Sequence, residues 1–117
     1  MKDMMLIWRL LAGFAVLSAG YSITASADQI SQGKTLTTQR SKGNCLACHA
    51  IDDGELPGNL GPPLFAMKAR FPDAEILRKQ IWDATGNNPD SRMPPFGRHG
   101  ILSDEEINQI IQYLYTL

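Results

Sequence analysis

The sequence predicts a small all-α domain. Three observations carry that prediction. Two segments repeat apolar residues at helical spacing and bring their own start and stop signals. Gly- and Pro-rich stretches separate the helical segments. No stretch alternates convincingly enough to be a strand.

The first 27 residues read as a cleaved secretory signal peptide. Lys2 and Arg9 give a basic start, Leu10 to Leu17 is apolar, and Ala25-Ser26-Ala27 is a small-residue cleavage signal. The apolar run is short for a spanning helix and is interrupted by Arg9. The leader contains no cysteine, so this reading gives it no bacterial lipid anchor. Residues 28–117 then form one exported domain, expected in the periplasm, near the small end of what folds alone.

Three helices follow. The first is expected over Gln29 to Gln39, with Ile30, Gly33 and Thr37 on one face. A glycine inside a helix costs about 1 kcal/mol against alanine and permits close approach of another helix. The second starts with Pro72 in its first turn, with Asp73 and Glu75 beside the N-terminal dipole. It packs Leu77, Ile81 and Ala84 and closes at Gly86. Trp82 is expected in the core at its end. The third opens on Ser103-Asp104-Glu105-Glu106, a capping-box pattern, and continues through Ile107, Ile110, Ile111 and Leu114. Residues 54–63 and 87–100 read as loops.

The chain carries two cysteines and two histidines, and three of these four residues sit in Cys45-Leu46-Ala47-Cys48-His49. This spacing points to covalent attachment of one haem c. Each sulfur can add across one vinyl group, and His49 then serves as proximal ligand to the iron. A redox dithiol would need a neighbouring strand-helix-strand pattern. A structural zinc site wants four ligands, and only His99 remains among cysteines and histidines. A disulfide would leave His49 unexplained. A covalently held macrocycle would enlarge a thin core, so the chain without it is expected to fold poorly.

The second axial ligand comes from Met93, Met67 or His99, unless the position is open. Met93 is favoured because Pro94 and Pro95 stiffen the loop behind it. Met67 reads as an apolar packing residue, and His99 as a solvated loop residue. The full chain has a net charge of −1, and losing Lys2, Arg9 and Asp3 with the leader makes the remainder more acidic. Nucleic-acid binding, which usually needs a basic patch, is not indicated. Asp52, Asp53 and Glu55 read as a solvated acidic loop.

The order Gly33, Cys45-x-x-Cys48-His49, Gly61-Pro62-Pro63-Leu64, Met93-Pro94-Pro95-Phe96 and Ile110-Ile111-Gln112-Tyr113-Leu114 resembles a class I cytochrome c. More narrowly it resembles the monohaem SoxX subunit of the bacterial sulfur-oxidising (Sox) system. The phrases Gly43 to His49 and Asn87 to Gly97, and the long interval from Gly33 to Cys45, carry that likeness.

The resemblance implies a small fold of three main helices with Gly/Pro-rich loops around one covalent haem. It implies that the Pro62 carbonyl accepts a hydrogen bond from the proximal imidazole. Leu64 would pack on the macrocycle, and Gly33 and Tyr113 would mark a helix crossing. Arg70 would lie near the propionates.

For function, the resemblance implies the electron-accepting subunit of a haem-dependent L-cysteine S-thiosulfotransferase. It would form a heterodimer with a SoxA-like c-type cytochrome that holds the reacting centre. That complex would couple thiosulfate to a cysteine of a SoxYZ-like carrier protein. The present chain would pass electrons to a small soluble cytochrome c and supply no catalytic residue of its own. The alternatives are a free-standing periplasmic electron carrier and, with an open iron position, a gas binder.

Overall fold

A computed structural model describes residues 25–117; the expected leader lies outside the described residues apart from its last three positions. The helices are α1 (Ala25–Thr38), α2 (Met67–Arg70), α3 (Ala74–Trp82) and α4 (Asp104–Leu114). Single 3₁₀ turns occur at Cys45–Ala47 and Ala84–Gly86. Among the described residues there is no strand, only one parallel bridge between Ile51 and Leu64. The all-α expectation therefore holds.

Helix α4 organises the core. Ser103 accepts a hydrogen bond from the Glu106 N–H (3.2 Å), and the Glu106 carboxylate accepts one from the Ser103 N–H (2.8 Å). This capping box satisfies two otherwise orphaned donors at the helix start. The expected apolar face is buried, with Ile107, Ile110, Ile111 and Leu114 all in the core, joined by Gln109 and Tyr113.

Helix α1 packs across α4 at Gly33. A Cβ there would run into the Gln109 carbonyl and lie 2.9 Å from the Tyr113 Cβ. The glycine is thus required by contact between two backbones. Gln109 Nε2 also donates to Gln32 Oε1 across the crossing (2.8 Å). Helix α1 begins at Ala25, four residues ahead of the expected Gln29, and ends one residue before the expected Gln39.

Helix α3 is shorter than expected. Pro72 lies just outside it rather than in its first turn, and Asp73 is its cap, with a side chain that accepts from the Glu75 N–H (2.9 Å). The helix ends at Trp82 rather than near Gly86, because Asp83 turns extended and caps the following 3₁₀ turn instead. Its carboxylate accepts from the Thr85 N–H (3.0 Å) and hydroxyl (2.6 Å). A short polar side chain has here outcompeted helix continuation. Trp82 is 42 % exposed, which corrects the expectation of a core tryptophan. Its ring instead lies against Gly97, and its carbonyl accepts from the Gly97 and Arg98 N–H groups.

Candidate functional site

Residues 44–49 form a compact turn. Asn44 enters it in the left-handed region (φ 45°). The Cys48 and His49 N–H groups both donate to the Cys45 carbonyl, at 3.1 and 2.9 Å. Cys45, Cys48 and His49 therefore occupy positions i, i+3 and i+4 of one helical turn, which share a face. The two cysteines are not bonded to each other. Burial pushes the Cys45 thiol up to about 11. A redox dithiol needs the opposite shift. Among the described residues, no three His, Cys, Asp or Glu side chains are grouped to hold an ion.

The segment after the motif folds back along it. Gly58 N–H donates to the Leu46 carbonyl (2.9 Å), Gly61 N–H to Cys48 (2.8 Å) and Leu64 N–H to Ala50 (2.8 Å). These bonds bring Gly61 and Pro62 to the imidazole. A Cβ on Gly61 would overlap the His49 ring, lying 2.7 Å from Nε2. The Pro62 carbonyl sits 2.6 Å from His49 Nδ1. A carbonyl can only accept, so Nδ1 carries the proton, and in the neutral ring Nε2 then keeps its lone pair. Nε2 has no hydrogen-bond partner among the described residues. An imidazole oriented through Nδ1 and free at Nε2 is the donor that a metal-bound macrocycle requires.

The residues present thus fit a covalent haem. Cys45 and Cys48 would hold it, and His49 would ligate its iron. Leu64 is partly buried at the margin of the core, beside the motif, where it can meet an apolar ring.

Met93 stands on a separate loop. Its side chain packs on the same core cluster as Cys45, Leu46 and Leu64. The loop is anchored just behind it by Phe96, which is buried, and by the two N–H bonds to the Trp82 carbonyl. Arg98 adds an ion pair to Asp83 (3.1 Å). Of the other possible ligands, Met67 is buried in the core and His99 is exposed.

Two placements carry contacts that the sequence did not foretell. Arg70 grips the loop that carries Pro62. Its Nη1 donates to the Pro63 carbonyl (2.9 Å), and more distantly to Phe65 (3.3 Å) and the Met67 sulfur (3.5 Å). Asp52 and Asp53 are exposed, as expected of a solvated loop, and are also paired. Lys34 of α1 bridges both carboxylates, at 3.1 and 3.0 Å, and Asp52 also accepts from the Tyr113 hydroxyl (3.4 Å). No local signal foretold that pairing, because Lys34 lies 18 residues upstream of Asp52.

The helical architecture and this turn define a c-type cytochrome domain, a class of haem-binding protein. Residues 28–114 match the family described as "Cytochrome C oxidase, cbb3-type, subunit III". The chain belongs to that family. An "Uncharacterized lipoprotein" of Aquifex aeolicus (strain VF5) is 39 % identical over 75 residues. The match covers 63 % of this chain and 36 % of that protein. The chain therefore spans little more than a third of the length of that relative. Among the described residues, no helix is long and apolar enough to cross a membrane.

Proposed function

We propose that this chain is an exported, electron-transferring monohaem cytochrome c, with thioethers at Cys45 and Cys48 and axial ligands His49 and Met93. The observation that carries the reading is the 2.6 Å contact between His49 Nδ1 and the Pro62 carbonyl, which leaves Nε2 free to ligate. Bound haem supplies a centre that takes up and releases one electron. His49 and Met93 together would leave no open position for a substrate, and methionine favours the reduced state. Pro62 and Gly61 hold the imidazole in one orientation, so little need move between oxidation states. Export is supported by the leader-like residues 1–27 and by the name of the Aquifex relative.

The finer proposal is a SoxX-like subunit, paired with a SoxA-like cytochrome in a thiosulfotransferase that loads a SoxYZ-like carrier. It rests on Gly43 to His49 and Asn87 to Gly97. Purification from thiosulfate-grown source cells, with haem staining, tests it. Co-elution of a second c-type cytochrome is the expected result. A lone haem protein would support the free-standing carrier instead.

The ligand assignment has its own test. Met93→Ala should keep haem attached while letting carbon monoxide bind the reduced protein, which the wild type should refuse. An unchanged spectrum and no carbon monoxide binding in the variant would exclude Met93.

A further inference from the structure

We propose that Arg70 is a positioning residue for the proximal histidine: it clamps the loop next to Pro62 and so fixes the carbonyl that orients His49. The proposal rests on the haem-ligand reading of His49. It assigns Arg70 a role other than the propionate contact that resemblance implies.

The argument starts from the loop. Pro62 and Pro63 have no N–H, so neither can be tied down by donating a backbone hydrogen bond. Residues 61–65 are held instead by Gly61 N–H on one side and Leu64 N–H on the other, while the Pro62, Pro63 and Phe65 carbonyls face side chains. Pro62 offers its carbonyl to His49. The next carbonyl, Pro63, and the Phe65 carbonyl converge on one nitrogen of Arg70. A guanidinium keeps its charge at any relevant pH and holds its donors in a rigid fork. The Phe65 and Phe71 rings lie 5.8 and 5.9 Å from its carbon, within cation–π range, and restrict its motion. Arg70 is also the last residue of α2, and its N–H donates to the Ala66 carbonyl (3.0 Å). The clamp is therefore built on a helical turn whose first residue, Met67, is buried.

The two roles for Arg70 predict opposite electrochemistry. A nearby positive charge disfavours the ferric state, so removing it lowers the midpoint potential. A carbonyl on the Nδ1–H makes the imidazole a better donor to ferric iron. Loosening that bond raises the potential.

The experiment compares haem-loaded wild type, Arg70→Lys and Arg70→Met by redox titration and by NMR exchange of the His49 Nδ1–H. Lysine keeps the charge but loses the planar fork. The expected result is Nδ1–H exchange about tenfold faster in both variants, the lower end of what losing a group behind a ligand costs in affinity, and a higher potential in Arg70→Lys, where the charge is kept. Rescue of exchange by lysine, an unchanged or lower potential in Arg70→Lys, or unchanged exchange would overturn the positioning role. Should the variants fail to accumulate, exchange of the Arg70 Nη1–H protons in the wild type decides. Protection supports the clamp, and exchange at the rate of a free arginine overturns it. Haem staining of the wild type separates the two levels. Absence of covalent haem overturns the ligand reading itself, whereas a stained protein with unmoved exchange overturns only the role of Arg70.

Discussion

Replacing Gly33 by alanine should unfold this domain at markedly lower temperature, although alanine is the better helix former. Two opposed effects act at one position. The substitution gains about 1 kcal/mol of helix propensity. Against it, the new methyl would meet the Gln109 carbonyl and the Tyr113 Cβ. Overpacking costs about 1–3 kcal/mol, and the upper end applies because a backbone carbonyl cannot swing away as a side chain can. Relief requires α1 and α4 to separate, which also stretches the bond between Gln109 and Gln32. The net loss is about 2 kcal/mol, the difference of these two figures. For a domain of this size that corresponds to a fall in Tm of about 8–16 °C.

The assay is thermal unfolding of the haem-loaded protein by far-ultraviolet circular dichroism. Gly86→Ala serves as the internal control. Nothing lies within 4 Å of a Cβ at Gly86, and its φ is not in the left-handed region. There the same chemical change should hold or raise stability, by up to about 1 kcal/mol. A Gly33→Ala protein that melted with the wild type or above it would refute the backbone-contact argument, whatever Gly86→Ala did.

Ser103→Ala should cost about 1 kcal/mol by leaving the Glu106 N–H without its cap, seen as a Tm lower by about 4–8 °C; an unmoved Tm would contradict it. Glu106 gives a pH-dependent counterpart. Its carboxyl is held below the ordinary 4.5 by the hydrogen bond from Lys42 and then by the Ser103 N–H. A lowered folded-state pKa stabilises fully above the unfolded value, and the contribution is lost as pH falls through the folded pKa. The Lys42 pair is partly open to solvent, so Glu106→Gln should cost no more than about 1 kcal/mol at neutral pH. The gap between variant and wild type should close in acid below 4.5 when denaturant curves are compared, and a gap that widened there would reverse the sign of the argument.

What could be read in the sequence was local. Helix α4 could be read because its apolar period and its capping box agree, and both act within a few residues. The haem-attachment turn could be read because Cys45, Cys48 and His49 need only a single helical turn to share a face. Asp83 shows where such reading stops. The apolar period runs on through Ala84, yet the Asp83 carboxylate captures Thr85 and ends the helix at Trp82. Trp82 is thereby the last residue of the helix, and it stands 42 % exposed. One-turn helix α2 has no period to detect. Its reason for forming is the burial of Met67 and the reach of Arg70, which depend on the loop it meets. The Lys34 pairing with Asp52 and Asp53 was hidden for the same reason, since charge pattern alone does not say which solvated residues the fold brings together.

The segment from Asp52 to Phe65 joins these observations into one mechanical argument. Its first end is fixed to α1 by Lys34 and, through Asp52, to Tyr113 at the helix crossing. Its far end is held to α2 by Arg70. Between them, the Gly58, Gly61 and Leu64 N–H groups stitch it to the cysteine turn. What reaches the imidazole is backbone alone: a glycine with no Cβ and a proline carbonyl. Neither has a rotamer to sample, so the orientation of His49 depends on where the segment is anchored. The one stretch without these ties is the tip, where Leu56 stands 97 % exposed at φ 54°. Substitutions at Lys34 or Arg70, both remote in sequence from His49, should therefore disturb the site more than a change at Leu56, only seven positions away. Separation along the chain is a poor guide to coupling when a rigid segment carries the contact from its two anchored ends.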